Sequence, residues 1–328
     1  MLQAVTGADG FVGSHLVEAL VRRGQRVRAL ALYNSQGSWG WLDTLPPDVL
    51  DQVEVVLGDV RDTEQMAGFC DEVDTVFHLA ALIAIPYSYV APRSYIETNV
   101  AGTLNMLEGV RRAGVRRLVH TSTSEVFGTA LRVPIDETHP LQGQSPYSAS
   151  KIAADTLVES FYRSFGVPAV TLRPFNTYGP RQSARAVIPT VVAQIAAGQR
   201  RVTLGALEPT RDFNFVTDTV AAFLAVGSAS DDVVGQAFNA GSGREVSIGE
   251  LVRTIAYVMG VEVEVVADPG RLRPADSEVM RLLADAAKLH EATGWKPATR
   301  LEDGLARTAD WFREPANLAR YRTARYTI

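Results

Sequence analysis

Seven residues near the start of the chain, Gly7-Ala8-Asp9-Gly10-Phe11-Val12-Gly13, restrict its fold more than any other stretch. They follow a short apolar run at 2–6 and precede a helical pattern at 14–23. Glycines at three-residue spacing between a strand and a helix permit a tight turn, close backbone approach to a pyrophosphate, and close helix–strand packing. The helix amino terminus adds N–H donors and a favourable dipole for an anion. The junction predicts a Rossmann-like start, with Gly7, Asp9, Gly10, Phe11, Val12 and Gly13 as candidate dinucleotide contacts.

Composition narrows the function classes. A chain of 328 residues has room for one large or two modest domains. Its net charge of −5 and pI near 5.6 give no support for binding to nucleic acid or an anionic membrane surface. The apolar run 220–226 is too short to span a bilayer. The one cysteine, Cys70, cannot form an intrachain disulfide, which fits a reducing, cytoplasmic setting. No metal site is expected.

Alternating strand and helix patterns continue along the chain and predict a doubly wound parallel α/β sheet with a smaller carboxyl-terminal α/β lobe. A second strand is expected at 26–32. The acidic residue that commonly lies about 20 residues beyond the glycines and binds the adenosine ribose is absent here. The region reads Arg28-Ala29-Leu30-Ala31-Leu32-Tyr33-Asn34, so Asn34 or Tyr33 is left for the ribose, while Arg28 would favour a 2′-phosphate. The choice between NAD and NADP stays open. A third strand at 53–57 leads to Asp59-Val60, a carboxylate and an apolar side chain suited to an adenine pocket. Asp59 can alternatively cap a helix. A fourth strand at 73–81 ends in Leu79-Ala80-Ala81, small enough to lie against a cofactor. A single long helix is expected at 94–113, and a helix interrupted by Pro189 at 184–197.

The chemistry is concentrated in residues 120–151. A strand at 115–120 runs into Thr121-Ser122-Thr123-Ser124-Glu125, at the carboxyl edge where open α/β sheets bind ligands. Tyr147 and Lys151 then stand four apart at the start of a helical pattern and share one face. A lysine ammonium beside a phenol favours the phenolate and suits the tyrosine to general-base work. The candidate catalytic group is Thr123, Ser124, Glu125, Tyr147 and Lys151, the last two also touching the cofactor.

With these motifs the chain resembles the extended short-chain dehydrogenases/reductases that modify nucleotide sugars. It is most similar to 4,6-dehydratases of N-acetylglucosamine nucleotides of the legionaminic-acid-pathway type. The segments that carry the likeness are A-L-Y-N-S-Q-G-S-W-G-W-L-D-T (31–44), L-A-A-L-I-A-I-P-Y-S-Y (79–89), T-S-T-S-E-V-F-G-T-A (121–130) and R-P-F-N-T-Y-G-P-R-Q-S-A-R-A-V-I-P (173–189). The resemblance implies NAD as default cofactor, a nucleotide-diphosphate sugar as substrate, and a homodimer through the helices at 94–113 and after 146. It places Asn176, Arg185, Val187, Arg211, Asn239 and Arg273 at the substrate, with Asn99 bridging backbone groups. Residues 1–180 with about 212–241 form the dinucleotide domain, and 181–211 with 242–328 the substrate lobe. The implied reaction oxidises the sugar at C4 with Tyr147 as base and Thr123 on the same oxygen. Glu125 then removes the C5 proton and assists loss of the 6-hydroxyl. Two rivals share the scaffold. A UDP-glucuronate decarboxylase usually carries Y-D-x-x-K-R where this chain has Y-S-A-S-K-I, and a plain 4-epimerase needs no carboxylate at 125. A non-catalytic relative would be expected to have lost the tyrosine, lysine or glutamate.

Overall fold

Leu2–Thr6 (β1) lies in the interior of a seven-stranded, wholly parallel sheet, and its last four residues are buried. In the computed structural model, which describes residues 1–321, the sheet also contains Arg26–Leu32 (β2), Val53–Gly58 (β3), Thr75–His78 (β4), Arg117–Thr121 (β5) and Ala169–Pro174 (β6). Its order is β10-β6-β5-β4-β1-β2-β3, where β10 is Ala237–Ala240. Chain direction across the sheet reverses between β1 and β4, a topological switch point with a crevice at the strand carboxyl ends. Helices cover both faces, so β4 and most of β5 and β6 are buried on both sides, as parallel strands require.

The smaller lobe is built from Asn176–Tyr178 (β7), Arg201–Leu204 (β8), Thr210–Phe215 (β9), Glu245–Ser247 (β11) and Glu264–Ala267 (β12). One small sheet has the order β11-β9-β7, and β12 pairs with β8. Strand β10 and the helix Val216–Ser228 belong with the main sheet, whereas β9 pairs with β7 and β11. Residues 322–328 of the expected lobe lie outside the described residues.

Several elements differ from their sequence patterns for local reasons. The first helix begins at Phe11, earlier than its pattern, because Gly10 is already its cap. The expected helix at 94–113 is three pieces: Pro92–Tyr95, a π-helical turn Ile96–Ala101, and Gly102–Ala113. The π turn contains buried Asn99, whose amide donates to Leu82 O at 2.9 Å and to Ser150 Oγ at 2.9 Å, and accepts from Leu82 N at 2.8 Å. Widened turns of this kind recur at functional sites. Pro189 does not interrupt its helix. It is the third residue of Val187–Ala196, where its missing N–H costs no intrahelical bond. Among the described residues no helix is long and apolar enough to cross a membrane.

Candidate active site

The glycine turn forms an empty-handed helix start. Gly7 adopts φ +65° against the Ala80 backbone, and a Cβ on Gly13 would collide with the Gly7 carbonyl oxygen. Both positions thus exclude a side chain. Gly10 caps the helix Phe11–Arg22 with no side-chain hydrogen bond and no acidic residue in the first turn, which leaves the first N–H groups for an anion. Leu79 and Ala80, at the end of β4, donate their N–H groups to Thr6 Oγ1 at 3.1 Å each, closing the floor beside the turn. Ala81 follows, half-buried.

The strand β5 and the helix Pro146–Phe165 bring the catalytic candidates together. That helix starts with a capping box of Ser145 and Ser148 and with Pro146 at its first position, so Tyr147 is fixed in the opening turn. Thr123 caps the short 3₁₀ turn Ser124–Phe127 and accepts from Glu125 N at 3.2 Å. Tyr147 and Lys151 are buried, at 7 % and 4 % exposure. Burial pushes the Tyr147 phenol well above its ordinary pKa; the Thr123 hydroxyl opposes this, and the Glu125 and Tyr95 neighbours add to it. Burial lowers Lys151 to about 8, against the charge of Asp155, which holds it up. Its ammonium donates to Thr121 O at 2.6 Å, since a buried ammonium needs an acceptor and the strand-end carbonyl faces it. Ser124 is buried and Glu125 half-buried, beside the Tyr147 phenol and Arg211 electrostatically.

Beneath this group lies a buried polar network absent from the sequence reading. Asp155, one turn beyond Lys151, accepts from Ser122 Oγ at 2.8 Å and from Arg173 Nε and Nη2 at 3.2 Å each, and pairs with His120 Nε2 at 3.1 Å. Burial raises the Asp155 carboxyl, but the His120 hydrogen bond and the nearby charges outweigh it and keep its pKa below the ordinary value. The spacing 147, 151, 155 places all three on one helix face, a signal available in the sequence.

On the lobe side, Arg211 is buried and donates to Thr210 O at 2.9 Å and Glu278 Oε1 at 3.2 Å. Arg273 reaches the same Glu278 oxygen at 3.4 Å. The segment carrying Arg273 and Glu278 is tied to the main domain: Ser277 Oγ donates to Gln144 O at 2.6 Å and meets Tyr89 Oη at 2.6 Å. Asn176 begins β7 with its amide oxygen buried and unpartnered. Residues 4–308 match the family described as GDP-mannose 4,6-dehydratase.

The chain belongs to that family. It stands among the nucleotide-sugar dehydratases and epimerases of the extended short-chain dehydrogenase/reductase superfamily, as its motifs suggested. It is 34 % identical to a UDP-glucose 4-epimerase of Mycolicibacterium smegmatis, over 95 % of this chain and 99 % of that protein. It is also 34 % identical to a dTDP-glucose 4,6-dehydratase of Xanthomonas campestris pv. campestris, over 94 % and 92 % of the two chains. Among solved structures, a dTDP-glucose 4,6-dehydratase double mutant of Streptomyces venezuelae with NAD bound superposes with a TM-score of 0.84 at 29 % identity, covering 96 % and 98 %. A Thermotoga maritima UDP-glucose 4-epimerase with UDP-glucose gives 0.86 at 29 %, covering 96 % and 100 %.

Within this family frame, some residues chosen from the sequence stand elsewhere. Arg28 is not free for a 2′-phosphate: it pairs with Glu54 at 3.0 Å and donates to the carbonyls of Phe69 and Asp71. Asn34 spends its amide inside its own loop, accepting from Gln36 N and Ser38 N and donating to Ser38 O and Leu32 O. Asn239 is fully buried on β10, donates to Ile135 O at 3.0 Å and takes Glu137 on its N–H at 2.7 Å. It holds the 133–137 loop to the sheet edge, and its amide oxygen is buried with no hydrogen-bond partner among the described residues. Asp59 is no helix cap, a task Asp62 performs; its carboxylate chelates Arg61. Val60 beside it is buried. Tyr33 and Arg185 are exposed, and Val187 opens the helix Val187–Ala196 half-buried.

Proposed function

We propose that this chain is an NAD-dependent nucleotide-sugar 4,6-dehydratase, converting an NDP-hexose of the N-acetylglucosamine or glucose type to its 4-keto-6-deoxy product with loss of water. The observation that carries the reading is Glu125: a half-buried carboxylate sharing the site with Tyr147 and Thr123. Exchange of a proton and hydride at C4 alone does not need it. The bare helix start at Gly10 and the side-chain-free turn fit a dinucleotide pyrophosphate. Gly7, Asp9, Gly10, Phe11, Val12 and Gly13 would hold it, with Asp59, Val60, Leu79, Ala80 and Ala81 along its length. Bound NAD supplies the hydride acceptor and donor for the redox steps.

The side chains divide the remaining work. Tyr147 takes the proton of the C4 hydroxyl, with Thr123 hydrogen-bonded to the same oxygen. Lys151, anchored on Thr121, carries a positive charge in a dry site, which favours phenolate as the proton leaves. Glu125 removes the C5 proton, acidified by the C4 ketone, and helps the 6-hydroxyl depart as water. Ser124 lines the same turn. Arg211 and Arg273 are suited to the substrate diphosphate, since a guanidinium fork matches phosphate oxygens. Asn176, with its free amide oxygen, Arg185 and Val187 complete the substrate side.

The test is incubation of the purified protein with GDP- and UDP-linked N-acetylglucosamine, glucose and glucuronate, followed by mass spectrometry. Loss of one water from a hexose substrate is the expected outcome and names the nucleotide. A product of unchanged mass with inverted C4 would assign the chain to the epimerases, such as its M. smegmatis relative. Loss of carbon dioxide from the glucuronate would assign it to decarboxylation.

A further inference from the structure

The second strand of this chain ends without the carboxylate that dinucleotide-binding folds commonly place there for the adenosine ribose. The Arg28 guanidinium and the Asn34 amide are both occupied by protein partners, which leaves at the strand end only the exposed Tyr33, a phenol without the charge of the missing acid. A different carboxylate reaches the same place. Asp9, inside the glycine turn, accepts the N–H of Leu32, the last residue of β2, on Oδ2 at 3.3 Å. Its side chain therefore lies against the strand end from which the missing acid would have projected.

We propose that Asp9 supplies the carboxylate that holds the adenosine ribose hydroxyls and thereby selects NAD over NADP. The inference rests on the dinucleotide reading above and adds which residue reads the ribose. Three further features support it. Among the described residues Asp9 makes no ion pair, so none of them cancels its charge. Burial raises its carboxyl pKa, partly offset by the Leu32 N–H, which leaves an under-solvated acceptor that gains from hydroxyl donors. The same charge would repel a 2′-phosphate.

The position is also held rigidly. The Asp9 carbonyl accepts from Trp41 N at 3.0 Å, which pins the loop after β2 onto the glycine turn. Trp41 in turn packs against Trp311, with ring centroids 5.7 Å apart, and against Tyr321 at 6.3 Å. The tryptophan-rich segment 31–44 thus has a physical use. It braces Asp9 against the carboxyl-terminal helix Leu301–Arg313, in which Trp311 lies.

The experiment measures binding of NAD, NADP and the NAD analogue lacking the adenosine 2′-hydroxyl to the full-length protein, by equilibrium exchange. Wild type should prefer NAD and lose about tenfold in affinity for the deoxy analogue, the size of one charge-assisted hydrogen bond. In Asp9→Asn the NAD affinity should fall about tenfold with NADP unchanged or improved, and the analogue should bind like NAD. An unchanged NAD-to-NADP ratio in Asp9→Asn overturns the inference and leaves the cofactor reading intact. Wild type that binds neither dinucleotide overturns both. If the variant does not fold, the wild-type arm decides: equal affinity for NAD and the deoxy analogue rejects the assignment.

Discussion

The Lys151 ammonium donates to the Thr121 carbonyl oxygen at 2.6 Å, which pins the helix Pro146–Phe165 to the carboxyl end of β5. Two residues further, Thr123 turns the chain into the 3₁₀ segment that presents Glu125. One charged hydrogen bond therefore sets the spacing between the phenol of Tyr147 and the hydroxyl and carboxylate it is meant to work with. The lysine's contribution to the site is positional as well as electrostatic.

Tyr147→Phe removes the group proposed to accept the proton of the C4 hydroxyl. Turnover should drop by about 10²–10⁴, the usual worth of a positioned general base. Cofactor content, read from the absorbance of nucleotide released on denaturation, should stay at the wild-type level. A variant with normal turnover would contradict the whole scheme.

Glu125→Gln separates dehydration from simple redox exchange. The amide is close in shape to the carboxylate but cannot take a proton from C5. Nucleotide-sugar binding should persist, while solvent deuterium uptake at C5 stops. Uptake at the wild-type rate would remove the assigned role from Glu125 and favour the epimerase or decarboxylase outcomes.

The glycine turn, the strand ends and the Tyr147–Lys151 pair are legible in the sequence because their signals are local: glycine spacing, apolar runs, and an i, i+4 pair. The network under them is not, because its members come from three elements. His120 and Ser122 lie on or just beyond β5, Arg173 on β6, and Asp155 on the helix between. No periodicity links them, although the shared face of 147, 151 and 155 pointed to Asp155. Asn239 is a related case. Its strand position was recognisable, but which neighbour its amide meets is decided by the 133–137 loop, about 100 residues away in sequence. Asn99 bridges the Leu82 backbone as the resemblance implies, but the π turn that carries it is not visible in helical patterning.

Asp155→Asn should be among the most destabilising single changes in the domain. Asp155 and Arg173 have side chains only 6 % and 8 % exposed, so the variant leaves a buried guanidinium without its anion. Loss of one partner of such a pair typically costs about 3–5 kcal/mol. The midpoint of denaturant unfolding should fall without a change in slope. A midpoint shift within the range of ordinary surface substitutions would show that the network is not holding β5, β6 and the catalytic helix together.

Stability should decline as the pH falls below about 6.5, the ordinary histidine value. His78 and His120 are buried and stacked with ring centroids 6.0 Å apart, and burial first, then the neighbouring positive charge, depresses the pKa of each. His15, beside Arg181, is lowered to about 4 by burial and that charge. An imidazole with a folded pKa below its unfolded one binds fewer protons in the native state, so acid favours unfolding through the window from about 6.5 downward. Asp155 adds a second loss at lower pH. Its folded pKa is depressed, so its contribution is present above its unfolded value of about 3.9 and disappears as pH falls through the folded one. Thermal melts at pH 8, 7, 6 and 5 should therefore show a plateau at the two upper values and a progressive fall below them. A flat profile down to the lowest of these would mean that the three histidines accept protons in the folded state as readily as in the unfolded chain. The neutral His120 side chain could not then be what Asp155 holds.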